Sequence, residues 1–283
     1  MSPLHERLAD ARDRLVRAGI STEEAALDAE VLARHVLECD RATLLTRARD
    51  PLPSAFARLY DELVQRRIAR EPIAYIVGHR EFWGLEFDVT RDVLIPRPET
   101  ELVIEESLAA LPHRPLVRNI IDVGTGSGCL AVILAVEYAA ARVTAVDVSP
   151  CALDVAGHNA AKHNVSERIA FIQADLLEGV TGTADLIVSN PPYVPDADAS
   201  TLQPEVARYE PRTALFAGHD GLAVIRRLLA HAPSRLAREG RLIVEFGFGQ
   251  ESGVRDAAVE SGWTTERIRR DLQGIPRVAV LRR

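Results

Sequence analysis

Cysteine is scarce in this chain. Cys39, Cys129 and Cys151 are an odd, widely spaced set in 283 residues, which suits neither a disulfide framework nor a zinc site. Buried free thiols and no bound metal are the expectation. Long apolar runs are missing as well: the longest, Cys129 to Val136, stops at Glu137, far short of the roughly 18 residues a membrane span takes. The N-terminus mixes His5, Glu6 and Arg7 with isolated leucines and has no apolar core of a secretory signal. A cytoplasmic protein with no membrane partner is therefore expected. Positive charge is not in excess either: 34 basic against 41 acidic residues leave a net charge of -7, which weakens any direct role with nucleic acid, since phosphate binding calls for a concentrated basic surface. Lys162 is the only lysine, a feature of coding bias that carries no mechanism. Internal repeats and low-complexity stretches are also absent.

What is present is an ordinary globular composition, 47% hydrophobic and 27% charged, in a chain long enough for about two domains. The first 70 residues read as helices, with Leu4, Leu8, Ala11 and Leu15 and then Leu27, Val31, Leu32 and Val36 at helical spacing. Ser21 or Thr22 can cap the second helix, with Glu23 and Glu24 in its first turn. A third helix runs from Pro53 through Leu59, Leu63 and Ile68 to the stop at Glu71-Pro72. Short β-prone pieces follow at 74–77 and 81–89, and the spacing predicts a linking hairpin. From Arg118 onward strands and helices alternate: strands at 119–123, 142–148, 169–175, 184–189 and 241–246, helices at 129–140, 150–164, 221–238 and 250–260, then two closing strands. The expected organisation is a helical domain over 1–72, a hairpin linker over 73–93, and a doubly wound, mostly parallel α/β sheet over 94–283, with its ligand beyond the carboxyl ends of the central strands.

Asp122-Val123-Gly124-Thr125-Gly126-Ser127-Gly128 follows a strand and opens a helix, a context in which glycines allow a tight turn and a close approach to a ligand. Asp147, nineteen positions after Gly128, ends the next strand and can accept hydrogen bonds from two ribose hydroxyls. By itself this pair leaves NAD and S-adenosylmethionine both open. The spacing G-x-G-x-G, where the dinucleotide fingerprint has G-x-G-x-x-G, favours S-adenosylmethionine, which has no pyrophosphate for a helix N-terminus to face. Asp175, ending the third strand, either reaches the adenine edge or is an ordinary strand-end residue.

Asn190-Pro191-Pro192-Tyr193 directly follows the apolar strand at 184–189. The two prolines make a stiff loop with no N–H of its own, so the carbonyl of Pro191 is free to accept a hydrogen bond. Asn190 offers its side-chain oxygen as a second acceptor, and Tyr193 a flat face. Together they would grip a planar NH2 group, localise its lone pair toward a sulfonium methyl, and stabilise the positive charge developing on nitrogen. An amide and the exocyclic amine of adenine both satisfy this grip.

With these two motifs stand Glu81-Phe82-Trp83, Leu94 to Glu101 (LIPRPETE), Ala214 to Gly218 with Asp220-Gly221-Leu222, and Glu245 to Gln250 (EFGFGQ). The set resembles the peptide chain release factor glutamine methyltransferases, the HemK or PrmC family, over essentially the full chain. The resemblance implies a seven-stranded methyltransferase sheet with a small N-terminal helical bundle. It implies methyl transfer from S-adenosylmethionine, leaving S-adenosylhomocysteine, to the side-chain amide nitrogen of the glutamine in the Gly-Gly-Gln motif of class I release factors, by a monomer without a metal. Cofactor contacts are expected from Gly124, Thr125, Gly126, Ser127, Gly128, Asp147, Asp175, Leu176 and Asn190. Glutamine contacts are expected from Asn190, Pro191, Pro192 and Tyr193, with Asn190, Pro191 and Tyr193 in the catalytic role. Leu176 stands where some relatives carry an aromatic residue against the adenine. Thr100 or Glu99 would reach the methionine end of the cofactor, or else Pro98, Glu99 and Glu101 simply start a helix. His79, His113, His158 and His163 show no ligand spacing. Alternative targets are a glutamine of a large-subunit ribosomal protein and, less in keeping with the charge, adenine in DNA or RNA.

Overall fold

A computed structural model describes residues 3–46 and 50–283. In chain order the helices are α1 (Leu4–Arg17), α2 (Thr22–Leu37), α3 (Arg41–Thr46), α4 (Phe56–Ile68), α5 (Ile73–Val77), α6 (Glu101–Ala110), α7 (Cys129–Glu137), α8 (Pro150–Lys162), α9 (Pro204–Tyr209), α10 (Ala223–His231) and α11 (Glu251–Glu260). The strands are β1 (His79–Phe82), β2 (Leu85–Asp88), β3 (Asn119–Val123), β4 (Arg142–Asp147), β5 (Ile169–Gln173), β6 (Ala184–Ser189), β7 (Leu236–Glu245), β8 (Thr264–Arg270) and β9 (Pro276–Arg282). The chain divides into two compact units: Met1–Gly78 with Pro204–Tyr209, and His79–Gln203 with Glu210–Arg283. Among the described residues no helix is long and apolar enough to cross a membrane.

The first unit is helical. The Ser21 hydroxyl accepts the Glu24 N–H and caps α2. Leu4, Ala11, Ala29, Leu32, Phe56, Tyr60 and Val64 form its core, and the buried Tyr60 hydroxyl donates to the Ala29 carbonyl at 3.0 Å. Arg67, 1% exposed, donates to Asp28 at 2.6 Å, to Glu205 of α9 at 2.7 Å and to Glu24 at 2.8 Å. Arg70 takes the other oxygen of Glu205 at 2.7 Å. Burial pushes the Glu205 carboxyl up, but the hydrogen bonds from Arg70 and Arg67 outweigh it and hold the group below the ordinary glutamate value. The segment at 74–77, expected as a β-piece, is the helix α5. Pro72 precedes its first turn and Gly78 ends it at φ 87°, so the apolar run turns instead of extending.

The second unit holds the hairpin β1–β2, closed by Trp83 and Gly84 at positive φ, and a seven-stranded sheet in the order β5-β4-β3-β6-β7-β9-β8. Strands β3 to β7 pair in parallel, and β9 runs antiparallel to both β7 and β8. The direction of winding reverses between β3 and β6, which opens a crevice at their carboxyl ends. Helix α7 is buried over seven of its residues, Cys129 through Ala135, and packs in the same core as Ile120 and Leu186. Helix α10 ends at His231, earlier than its apolar pattern suggests, because Pro233 stops it. Strand β7 accordingly begins at Leu236 rather than at 241. Of the three free cysteines, only Cys129 is buried; Cys39 is half-buried and Cys151 exposed.

Candidate active site

Beyond Val123 the chain turns through Gly124, Gly126 and Gly128, at φ 75°, 54° and 79°. No atom lies within 4 Å of a Cβ placed at Gly124 or Gly126, whereas one at Gly128 would stand 2.9 Å from the Ala156 Cβ. Two glycines thus leave an open face for a ligand, and the third admits α8. Thr125 and Ser127 are buried: the Thr125 hydroxyl donates to Asp122 Oδ2 at 2.7 Å, and the Ser127 carbonyl accepts from Asn159 Nδ2 at 2.8 Å. Both residues also border the cavity beside this loop.

Asp147, at the end of β4, is held by two backbone amides, Gly126 N–H on Oδ2 at 2.9 Å and Ser149 N–H on Oδ1 at 3.0 Å. The carboxylate therefore stands fixed beside the open glycine face. Leu176 is buried at φ 53°. Asp175 pairs through Oδ2 with Arg227 at 2.7 Å. These residues border one cavity of about 190 Å³ whose opposite wall carries Asn190, Pro191 and Pro192. Arg97 and Thr100, from the LIPRPETE segment, complete that wall, with Arg97 held at 2.5 Å by the buried Glu210.

The sequence-derived loop is brought to the crevice, but its two side chains part company. Asn190 Nδ2 donates to Thr100 Oγ1 at 2.9 Å, which leaves Asn190 Oδ1 buried and without a partner. A buried acceptor in that condition calls for a donor. Tyr193 is not part of the cavity wall. Its hydroxyl donates to Glu245 Oε1 at 3.3 Å and its carbonyl accepts from Gln250 Nε2 at 2.9 Å, so the ring is turned toward the end of β7. Thr100, expected with Glu99 at the methionine end of a cofactor, borders the cavity and pairs with Asn190, and Pro98–Thr100 form a single helical turn directly before α6, as expected of Pro98, Glu99 and Glu101.

Two buried carboxyls lie under the crevice. Burial raises Asp122 to about 7 against the pull of Thr125 and the Ala131 N–H. Burial likewise raises Glu245 to about 7, with the Thr100 and Tyr193 hydroxyls drawing it back only part of the way. No hydrogen bond of good geometry reaches Glu245 Oε2. Glu245, Gln250 and Glu210 carry no role in the sequence reading. Only the clustering of the first two in EFGFGQ marks them there.

A mostly parallel sheet whose glycine loop, strand-end carboxylate and Asn-Pro-Pro turn meet at one reversal point defines an α/β methyltransferase. Residues 102–206 match the model for the methyltransferase small domain, and residues 6–78 match the PrmC N-terminal domain. Among solved structures the hMettl16 catalytic domain in complex with a 3'UTR hairpin has the same fold at TM-score 0.57 and 17% identity, over 78% of this chain and 82% of that one. The N-terminal domain of human METTL16 in complex with SAH aligns at TM-score 0.51 and 17% identity, over 71% and 76%. The release factor glutamine methyltransferase of Cereibacter sphaeroides is 41% identical, covering 98% of this chain and 97% of the relative. Those of Koribacter versatilis, 41% identical over 93% and 92%, and Geobacter sulfurreducens, 42% over 94% and 92%, are similar. The chain belongs to the release factor glutamine methyltransferase family.

Proposed function

We propose that this chain transfers a methyl group from S-adenosylmethionine to the side-chain amide nitrogen of the glutamine in the Gly-Gly-Gln motif of class I release factors. The observation that carries the reading is the buried, unpartnered Oδ1 of Asn190 on the cavity wall. Together with the carbonyl of Pro191 it presents two acceptors to a planar NH2 group. They resist the flattening of the amide nitrogen, direct its lone pair, and stabilise the positive charge that grows on it. Thr100 keeps the amide of Asn190 turned the productive way. Most of the rate enhancement then comes from alignment and electrostatics.

The open face over Gly124 and Gly126 and the fixed carboxylate of Asp147 fit S-adenosylmethionine. When bound it supplies the electrophilic methyl. Asp147 would hold the ribose hydroxyls, and Leu176 would give the adenine an aliphatic wall. Asp175, anchored by Arg227, borders the same end. The relatives' name speaks for release factors as partners, and the helical unit that matches the PrmC N-terminal domain, a unit without chemistry of its own, is assigned their recognition.

Purified full chain with labelled S-adenosylmethionine should label a class I release factor, and replacing the motif glutamine by alanine should abolish labelling. Label that persists in that variant, or goes to a ribosomal protein or to adenine in nucleic acid, overturns the reading.

A further inference from the structure

The segments Ala214–Gly218, Asp220–Leu222 and Glu245–Gln250 stand out in the sequence, yet none of them enters the grip on the NH2 group. All three converge on the residues just after Asn190-Pro191-Pro192. Val194 N–H donates to the Leu215 carbonyl at 2.8 Å and Ala217 N–H to the Val194 carbonyl at 3.0 Å. One side chain then ties the remaining pieces together. Gln250 Oε1 accepts the Gly247 N–H at 2.8 Å, while Nε2 donates to the Tyr193 carbonyl at 2.9 Å and the Asp220 carbonyl at 3.1 Å.

The orientation of this amide is fixed by its partners, because a backbone N–H only donates and a carbonyl only accepts. The packing around it is close enough to require glycine. A Cβ at Gly221, which sits at φ 72°, would fall 2.1 Å from the Tyr193 carbonyl oxygen and 2.5 Å from Gln250 Nε2. A Cβ at Gly247 would fall 2.9 Å from Gln250 Oε1 and 3.0 Å from Tyr193 Cδ2. Pro191 and Pro192 donate no backbone hydrogen bonds, so the loop is fixed at its two ends. Thr100 holds the Asn190 end. At the other end Gln250 holds the Tyr193 carbonyl.

We infer that Gln250 is a positioning residue for methyl transfer, setting the placement of the Asn190–Pro191 acceptors through the Tyr193 carbonyl without touching substrate. The inference rests on the proposed reaction. A displacement near 1 Å in an aligned site costs on the order of 100-fold in rate, and the loop is the part that would shift.

The test uses the full chain and two variants. Gln250→Glu keeps the acceptor for Gly247 but sets a carboxylate against two carbonyls, and Gln250→Met removes all three hydrogen bonds at similar size. Both should lower kcat for release factor methylation about 10- to 100-fold, with the Kd for S-adenosylmethionine within about twofold of wild type. Amide exchange at Val194 and at Asp196, whose N–H donates to the Gly218 carbonyl at 2.9 Å, should rise in both. A wild-type kcat in either folded variant, cofactor affinity falling in step with kcat, or unchanged exchange at both amides overturns the inference. A wild-type chain that labels no release factor overturns the functional reading instead, and the exchange measurement still decides whether Gln250 holds the loop.

Discussion

Glu245 is 1% exposed, and its neutralisation has a measurable signature. Burial raises its carboxyl from 4.5 to about 7 in the folded chain. Between those values the group is protonated when folded and ionised when unfolded, so the folded state binds the extra proton and stability falls as pH rises through the window. At about 1.4 kcal/mol per pH unit, the full loss comes to about 3 kcal/mol. Glu245→Gln replaces the carboxyl with a neutral group of the same shape that has no such titration. Asp122, also raised to about 7, is common to both proteins and cancels in the difference. The assay is urea unfolding of wild type and variant at intervals from pH 4.5 to 8.5, followed by tryptophan fluorescence. Trp83 and Trp263, the chain's two tryptophans, both lie in the unit that contains Glu245, so the signal reports on that unit. The variant should be within about 1 kcal/mol of wild type at pH 4.5 and gain about 3 kcal/mol on it by pH 8. A difference that stays flat within about 0.5 kcal/mol across the range refutes the claim that Glu245 is neutral in the folded protein.

Asn190→Ala removes one of the two oriented acceptors and should lower kcat by about 100-fold or more with cofactor affinity retained; steady-state kinetics and calorimetry check this, and unchanged turnover refutes the grip. Thr100→Val keeps the shape but frees the Asn190 amide to rotate, so kcat should fall about 10-fold, and Thr100→Ser should restore it. A serine variant as slow as the valine one counts against the hydroxyl as the orienting group. Asp147→Ala should weaken S-adenosylmethionine about 10- to 100-fold by calorimetry, since charged hydrogen bonds contribute about 1.5–3 kcal/mol. Wild-type affinity in that variant would remove Asp147 from the ribose site.

The parts of the site that were legible in the sequence are those with local signals. Strands β3 and β6 have the expected bounds because their apolar runs are closed by Gly124 and by Asn190-Pro191. The loop over Gly124 to Gly128 and the carboxylate of Asp147 follow from spacing along one β-α-β unit. What escaped depends on partners distant in the chain. Asn190 and Thr100 are 90 positions apart, and Tyr193 and Glu245 are 52 apart. The direction of the Tyr193 ring is therefore set by a residue that its own segment does not reveal. The same holds for α9, a six-residue helix whose place with the helical unit is secured by Arg67, 138 positions before Glu205.

The Asn190 grip also depends on a choice that Thr100 alone does not make, since a hydroxyl both donates and accepts. What decides is where the Thr100 proton goes. The Thr100 hydroxyl favours the charged form of Glu245, as do Tyr193 and Arg277, against burial and the repulsion of Glu99. An ionised Glu245 can only accept, so the Thr100 proton should turn toward it, leaving the hydroxyl oxygen for Asn190 Nδ2. When Glu245 is protonated that constraint relaxes. The carboxyl whose ionisation costs stability up to about pH 7 would thereby also favour the productive amide orientation once ionised. Turnover in wild type should accordingly rise through about pH 7, the value to which burial brings Glu245. Glu245→Gln should lose that rise and turn over more slowly above it, because the Gln amide can offer Thr100 a donor and reverse the relay. A variant with a wild-type pH profile would separate Glu245 from the orientation of Asn190.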